Sequence, residues 1–168
     1  VGDSKLDRVY INKDIYFDNI QFSGRRDNTG WHEVSLSGHN PFAGATVDAN
    51  TQPMAKEALK SGQFRFNFGP SENGHYPVQM EAQDLGSLIS SVKGKEIMKD
   101  GYLKVNGASR GPLLKKPIDA SFALSGFTVK QAPGIVKLLN MLSLTQIIST
   151  FRQTGLAFSS ASGDIQLD

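Results

Sequence analysis

The octapeptide GQFRFNFG, residues 62–69, decides the fold class. Phe64, Phe66 and Phe68 recur at every second position, with Arg65 and Asn67 between them. In an extended chain that period sends three aromatic rings to one face and the polar pair to the other, which marks a half-buried strand. A helix would scatter the same rings around its circumference. Glycines at both ends punctuate the run.

The same alternation continues on either side. PSENG (residues 70–74) turns the chain into residues 76–82, where Val78, Met80 and Ala82 align. Upstream, Tyr16, Asp18, Ile20 and Phe22 read as one face of a strand. In WHEVSLSG (residues 31–38), His32, Val34 and Leu36 share a side. The polar stretch GRRDNTG (residues 24–30) between these runs predicts a hairpin. A weaker strand at 44–49 leads into a polar stretch with a helical turn around 55–59. At Asp84, a good N-cap, the period changes: Leu85, Leu88, Ile89 and Val92 repeat at three and four residues, predicting a short helix that ends by Gly94. YLKVNG (residues 102–107) and residues 118–131 return to alternation. Ile118, Ala120, Phe122 and Leu124 share a face until Gly126, read as a bulge, hands the apolar side to Phe127 and Val129. Pro133 opens a leucine-rich helix, Leu144 to Phe151 make a second, and residues 155–161 and 163–168 read as two closing strands.

These readings predict a mainly β protein with a few amphipathic helices, one domain over residues 1–168. Its centre is a meandering antiparallel sheet of roughly eight to ten short strands. Each strand pairs one apolar face with one rich in Ser, Asn, Lys and Asp, so the apolar faces need a cover. Alternation alone leaves open whether a second layer fills the space or the sheet curls around an apolar trough.

Composition narrows the chemistry. With 18 basic and 16 acidic side chains the formal charge is +2, too balanced to imply nucleic acid by electrostatics. Cysteine is absent, which excludes disulfides, thiolate zinc sites and a cysteine nucleophile. The longest apolar stretch, residues 135–151, is interrupted by Lys137, Asn140, Ser143, Thr145 and Gln146, so it does not read as a membrane span. The start at Val1 reads as mid-protein sequence, so the chain is expected to be a fragment. The three histidines, His32, His39 and His75, stand in no metal-type spacing. No Gly-x-Ser-x-Gly, phosphate loop or convincing carboxylate pair is present, and the expectation is no enzyme, no metal and no cofactor.

Residues 77–168 carry an ordered series of segments. VQMEAQDLGSLISSV (78–92) joins a strand to a helix, and IMKDGYLKVNG (97–107) sets a glycine before an alternating strand that ends in glycine. Residues 109–151 run from a linker through a strand and an alanine-proline start to a leucine-rich helix broken by Leu-Ser-Leu-Thr. GLAFSSASGDIQLD (155–168) closes the series. This order resembles the C-terminal region of the AsmA-like family of Gram-negative envelope proteins, the family of AsmA, TamB and YhdP. Residues 1–76 resemble the strands upstream of it more weakly, and residues 93–100 are more basic than that family's pattern.

The resemblance implies a long curled antiparallel β-sheet, a taco-like groove covered or capped by helices, with a hydrophobic interior, held on the periplasmic side of the inner membrane by an anchor outside this chain. It also implies a role in carrying phospholipid between inner and outer membranes and in outer-membrane integrity. The residues expected to line such a groove are Phe64, Phe66, Phe68, Val78, Met80, Leu103, Val105, Phe122, Leu124, Leu156 and Phe158. Leu138, Leu139, Leu142, Ile147, Ile148 and Phe151 are the expected lid helices. The expected partner is the acyl part of a phospholipid. The rival expectation is a non-catalytic scaffold for outer-membrane assembly with a self-filled core.

Overall fold

A computed structural model of the chain describes residues 2–43, 62–70, 73–93, 96–113, 116–130 and 155–167. They form one open antiparallel sheet of eight strands in the order β1-β2-β3-β4-β5-β6-β7-β8, each strand paired with its neighbours in sequence. The strands are β1 (Gly2–Tyr10), β2 (Tyr16–Asp27), β3 (Gly30–His39), β4 (Gln63–Phe68), β5 (Tyr76–Ala82), β6 (Met98–Ser109), β7 (Ile118–Val129) and β8 (Leu156–Leu167). A single helix, α1 (Leu85–Lys93), lies between β5 and β6. Such a meander needs no crossover, so each pairing is local in sequence.

Several expected elements are present with shifted bounds. The phenylalanine ladder is β4, and Asp84 does cap α1: its Oδ1 accepts from the Ser87 N–H at 3.0 Å and its Oδ2 from the Ser87 hydroxyl at 2.7 Å. Gly126 has a positive φ of 61°, and Phe127 beyond it is buried, as the predicted exchange of apolar side requires. Three expectations need correction. The alternation reading gave no strand before Tyr16, yet β1 pairs with β2 along its length. Tyr16 and Asp18 do not share a face with Ile20 and Phe22: Asn19, at φ 51°, breaks the period, and Phe17 takes the apolar side with its ring 5.5 Å from Phe64. The two closing strands are one, because Gly163 stays in the ladder opposite Phe122 instead of turning. Of the expected helices, α1 alone falls among the described residues; the readings at 44–59 and 131–154 lie outside them.

Helix α1 also turns a different side inward from the one its leucine spacing suggests. Gly86 and Ser91 are buried, whereas Val92 is 57% exposed. Gly86 lies so close to the Met98–Lys99 backbone that a Cβ there would meet Lys99 Cα at 2.7 Å, and Ser91 accepts a hydrogen bond from buried Asn40 at 3.2 Å. The helix is held by backbone proximity and one polar contact, and it bridges β6 to the end of β3.

At the opposite end the sheet rolls up. Val34, Phe68 and Val78 form a buried cluster, against which pack Phe22 from β2 and Ile118 from β7, with Trp31, Phe66, Tyr76 and Leu113. In a flat sheet β2 and β7 would be five spacings, about 24 Å, apart. The Leu113 N–H donates to the Trp31 carbonyl at 2.9 Å, tying the β6–β7 connection back to β3 across two intervening strands. Curling brings these elements together.

Candidate functional site

The register sorts the apolar side chains into three rows, because directly opposed residues of antiparallel strands share a face. The row at the rolled end runs Gly24, Val34, Phe68, Val78, Gly107, Ala120, Ile165. A middle row runs Phe22, Leu36, Phe66, Met80, Val105, Phe122, Gly163. The third runs Gly38, Phe64, Ala82, Leu103, Leu124, Ala161. Nine of the expected groove residues fall in these rows. The other two, Leu156 and Phe158, lie beyond the Gly126 irregularity, where they oppose Val129 and Phe127, and the Phe127 and Phe158 rings stack at 5.1 Å and 13°. The six lid residues lie outside the described residues.

Burial along the rows is uneven: Val105 in the middle row is 8% exposed and Ala82 in the third 0%. Phe68 is 0% exposed and Val78 4%, so the rolled end is a filled core. Phe64, Phe66, Met80, Leu103, Phe122 and Leu124 are only half-buried, and Phe158 is exposed at the edge. Between the large side chains sit glycines whose missing Cβ atoms leave room for rings. A Cβ at Gly24 would meet the Trp31 ring at 2.7 Å, and one at Gly38 would meet the Phe64 ring at the same distance. Rings lying over strand glycines keep the apolar surface continuous while letting the backbone bend.

The opposite face is polar throughout the centre of the sheet. Arg65 Nη2 donates to Glu81 Oε2 at 2.9 Å, and Lys104 Nζ lies 3.8 Å from the other carboxylate oxygen, a ladder across β4, β5 and β6. Ser35 donates to Asn67 at 2.9 Å, and Gln166 to Asp119 at 2.8 Å. Burial and the nearby Glu81 carboxylate raise the Tyr102 phenol on this face. One side of the sheet is thus suited to water and the other to hydrocarbon.

Two polar groupings escaped the sequence reading. At the rolled end, His32 joins residues far apart in the chain: its Nε2 lies 2.9 Å from Asp27 Oδ1 and its Nδ1 2.8 Å from the Tyr76 hydroxyl. With the proton on Nε2, the ring donates to the carboxylate and accepts from the phenol. The Asp27 carboxyl is held well below its usual range, first by the Thr29 hydroxyl and then by His32. Tyr76 stacks on Phe68 at 5.3 Å, so this chain of bonds pins the β2–β3 hairpin over the core. No spacing could have announced a pair separated by 44 residues. At the other end, a cleft of about 500 Å³ lies between α1 and the start of β6, lined by Ile15, Phe42, Asp84, Ser87, Ser90 and Glu96 among others. Among the described residues, no three His, Asp or Glu side chains are grouped to hold a metal ion. No described helix is long and apolar enough to cross a membrane.

No family model, no curated protein and no solved structure matches the chain.

Proposed function

We propose that this chain is a section of an AsmA-like envelope protein that shelters lipid acyl chains against the apolar face of its sheet. In this reading it contributes to phospholipid transport between the inner and outer membranes, and so to outer-membrane integrity. It works on the periplasmic side of the inner membrane. The observation that supports the reading is the partial burial of the larger side chains beyond the filled end: Phe64, Phe66, Met80, Leu103, Phe122 and Leu124 are half-buried on one oily surface, backed by a mainly polar face. Exposing an acyl chain of about sixteen carbons to water costs about 12 kcal/mol, at about 0.8 kcal/mol per methylene. A half-covered apolar surface offsets much of that cost without a charged ligand. Transfer is then binding and sliding with no bond chemistry.

The test is lipid extraction and mass spectrometry on the purified chain, paired with Phe66→Glu. In the groove reading phospholipid co-purifies with the wild type, and the variant stays folded but loses it. A second reading, the self-filled scaffold, draws on the sealed cluster at Phe68 and Val78. It expects no bound lipid, and it expects Phe66→Glu to unfold the protein by burying an unpaired carboxylate. Wild-type protein free of lipid together with an unfolded variant refutes the groove.

A further inference from the structure

Where β1 turns into β2, two phenols are in contact. Tyr10 and Tyr16 are directly opposed in the β1–β2 register, and their ring centroids stand 5.5 Å apart at 51°. At that spacing the ring edges touch. Arg8 lies diagonally across from Tyr16 and binds both rings. Its guanidinium is 4.0 Å from the Tyr16 ring centroid, and its Nη1 donates to the Tyr10 hydroxyl at 3.4 Å. Of the other two tyrosines, Tyr76 stacks on Phe68, and Tyr102 stands opposite Ser125. Tyr10 is 59% exposed, and the chain holds no cysteine thiol to quench a radical formed there. Both rings and the arginine that spans them lie among the described residues.

We propose that Tyr10 and Tyr16 form an oxidative cross-linking site. There a one-electron oxidant of the haem-peroxidase class, driven by hydrogen peroxide, joins the two rings into dityrosine and staples β1 to β2. Each phenol gives up one electron and its hydroxyl proton and becomes a phenoxyl radical. The two radicals pair their unpaired electrons in a carbon–carbon bond between ortho positions. Each ring then shifts its ortho hydrogen to oxygen, which restores aromaticity and both hydroxyls. The two electrons and two protons released reduce one hydrogen peroxide to two waters, so the chain loses two hydrogens. The strand register holds the partners together before oxidation, so coupling within the chain needs no diffusional encounter. β1 pairs with β2 alone, and a covalent tie at Tyr10 holds this strand against fraying.

The cross-link is independent of lipid binding. The test treats the 168-residue chain, in dilute solution, with a haem peroxidase and hydrogen peroxide, and recovers the monomer by denaturing electrophoresis. Trypsin cuts after Arg8, Lys13 and Arg25, so the digest should contain residues 9–13 joined to residues 14–25, two hydrogens lighter than their sum. Methionine oxidation adds oxygen and is told apart by mass. Tyr10→Phe keeps the ring but should abolish both the joined peptides and the dityrosine fluorescence of the monomer. Tyr102→Phe should leave both unchanged. After cross-linking, amide exchange between Leu6 and Val9 should slow at least about threefold. No dityrosine in the monomer, a monomer link through Tyr76 or Tyr102, fluorescence that survives Tyr10→Phe or is lost in Tyr102→Phe, or unchanged exchange in β1 each overturns the assignment.

Discussion

Phe68→Ala compared with Phe66→Ala measures how unevenly the apolar face is sealed. The two rings are two residues apart on one strand face, chemically identical, and both lie within the rows. Phe68 is 0% exposed, stacks on Tyr76 and touches Val34 and Val78. Truncating a phenylalanine in such a setting costs about 3–5 kcal/mol, the lost transfer energy plus the cavity left behind. For a chain of this size that is a fall in Tm of roughly 10 °C, at about 2–4 °C per kcal/mol. Phe66 is half-buried, so its removal forfeits only part of the transfer term and leaves a smaller cavity, about 1–2 kcal/mol. Urea unfolding followed by fluorescence of Trp31, the sole tryptophan, reads both, since Trp31 packs against the same cluster. Equal losses refute the reasoning. A Phe66→Ala cost as large as that of Phe68→Ala would mean the middle row is closed as tightly as the rolled end.

Three further outcomes follow from particular contacts. A Cβ at Gly107 would meet the Asp119 carbonyl at 2.4 Å and Ala120 Cβ at 2.5 Å, so Gly107→Ala should cost about 1–3 kcal/mol by forcing β6 from β7, measured by urea midpoint. The folded-state carboxyl of Asp27 is depressed below its unfolded value, so its contribution to stability is fully present above about pH 4 and is lost as pH falls further. Thermal melts at pH 3 and pH 6 should therefore converge in Asp27→Asn relative to wild type, and an unchanged pH dependence counts against the hydrogen bonds by which Thr29 and then His32 hold the Asp27 carboxylate. Asn40 is 1% exposed and joins β3 to α1 through Ser91; Asn40→Ala should cost about 1–3 kcal/mol and raise hydrogen exchange in α1 selectively.

The central strands were legible because each states its period within a few residues. Phe64-x-Phe66-x-Phe68 and Val78-x-Met80-x-Ala82 keep strict alternation and are clean strands in the structure. Legibility failed where the period is interrupted by a residue other than glycine or proline. Asn19 and Asp100 adopt positive φ within β2 and β6, so Phe17 and Met98 are buried on the parity opposite to their neighbours, and neither was among the expected groove residues. β1 went unseen because its charges mask the alternation, and the edge position explains those charges. The reach of Trp31 to Leu113 and of His32 to Tyr76 was illegible for a different reason: it follows from curling, a property of the whole sheet.

The positive-φ residues Asn19, Gly62, Asp84, Gly101 and Gly126 fall on one line just beyond the third row, crossing the sheet from β2 to β7. A one-residue slip in a strand normally reverses every side chain it carries. This line works as a firebreak against such errors. An inserted or deleted residue on its far side can be absorbed where the backbone already departs from the ladder, and the ordered rows keep their orientation. A change in loop length beyond the line therefore leaves the oily surface where it is.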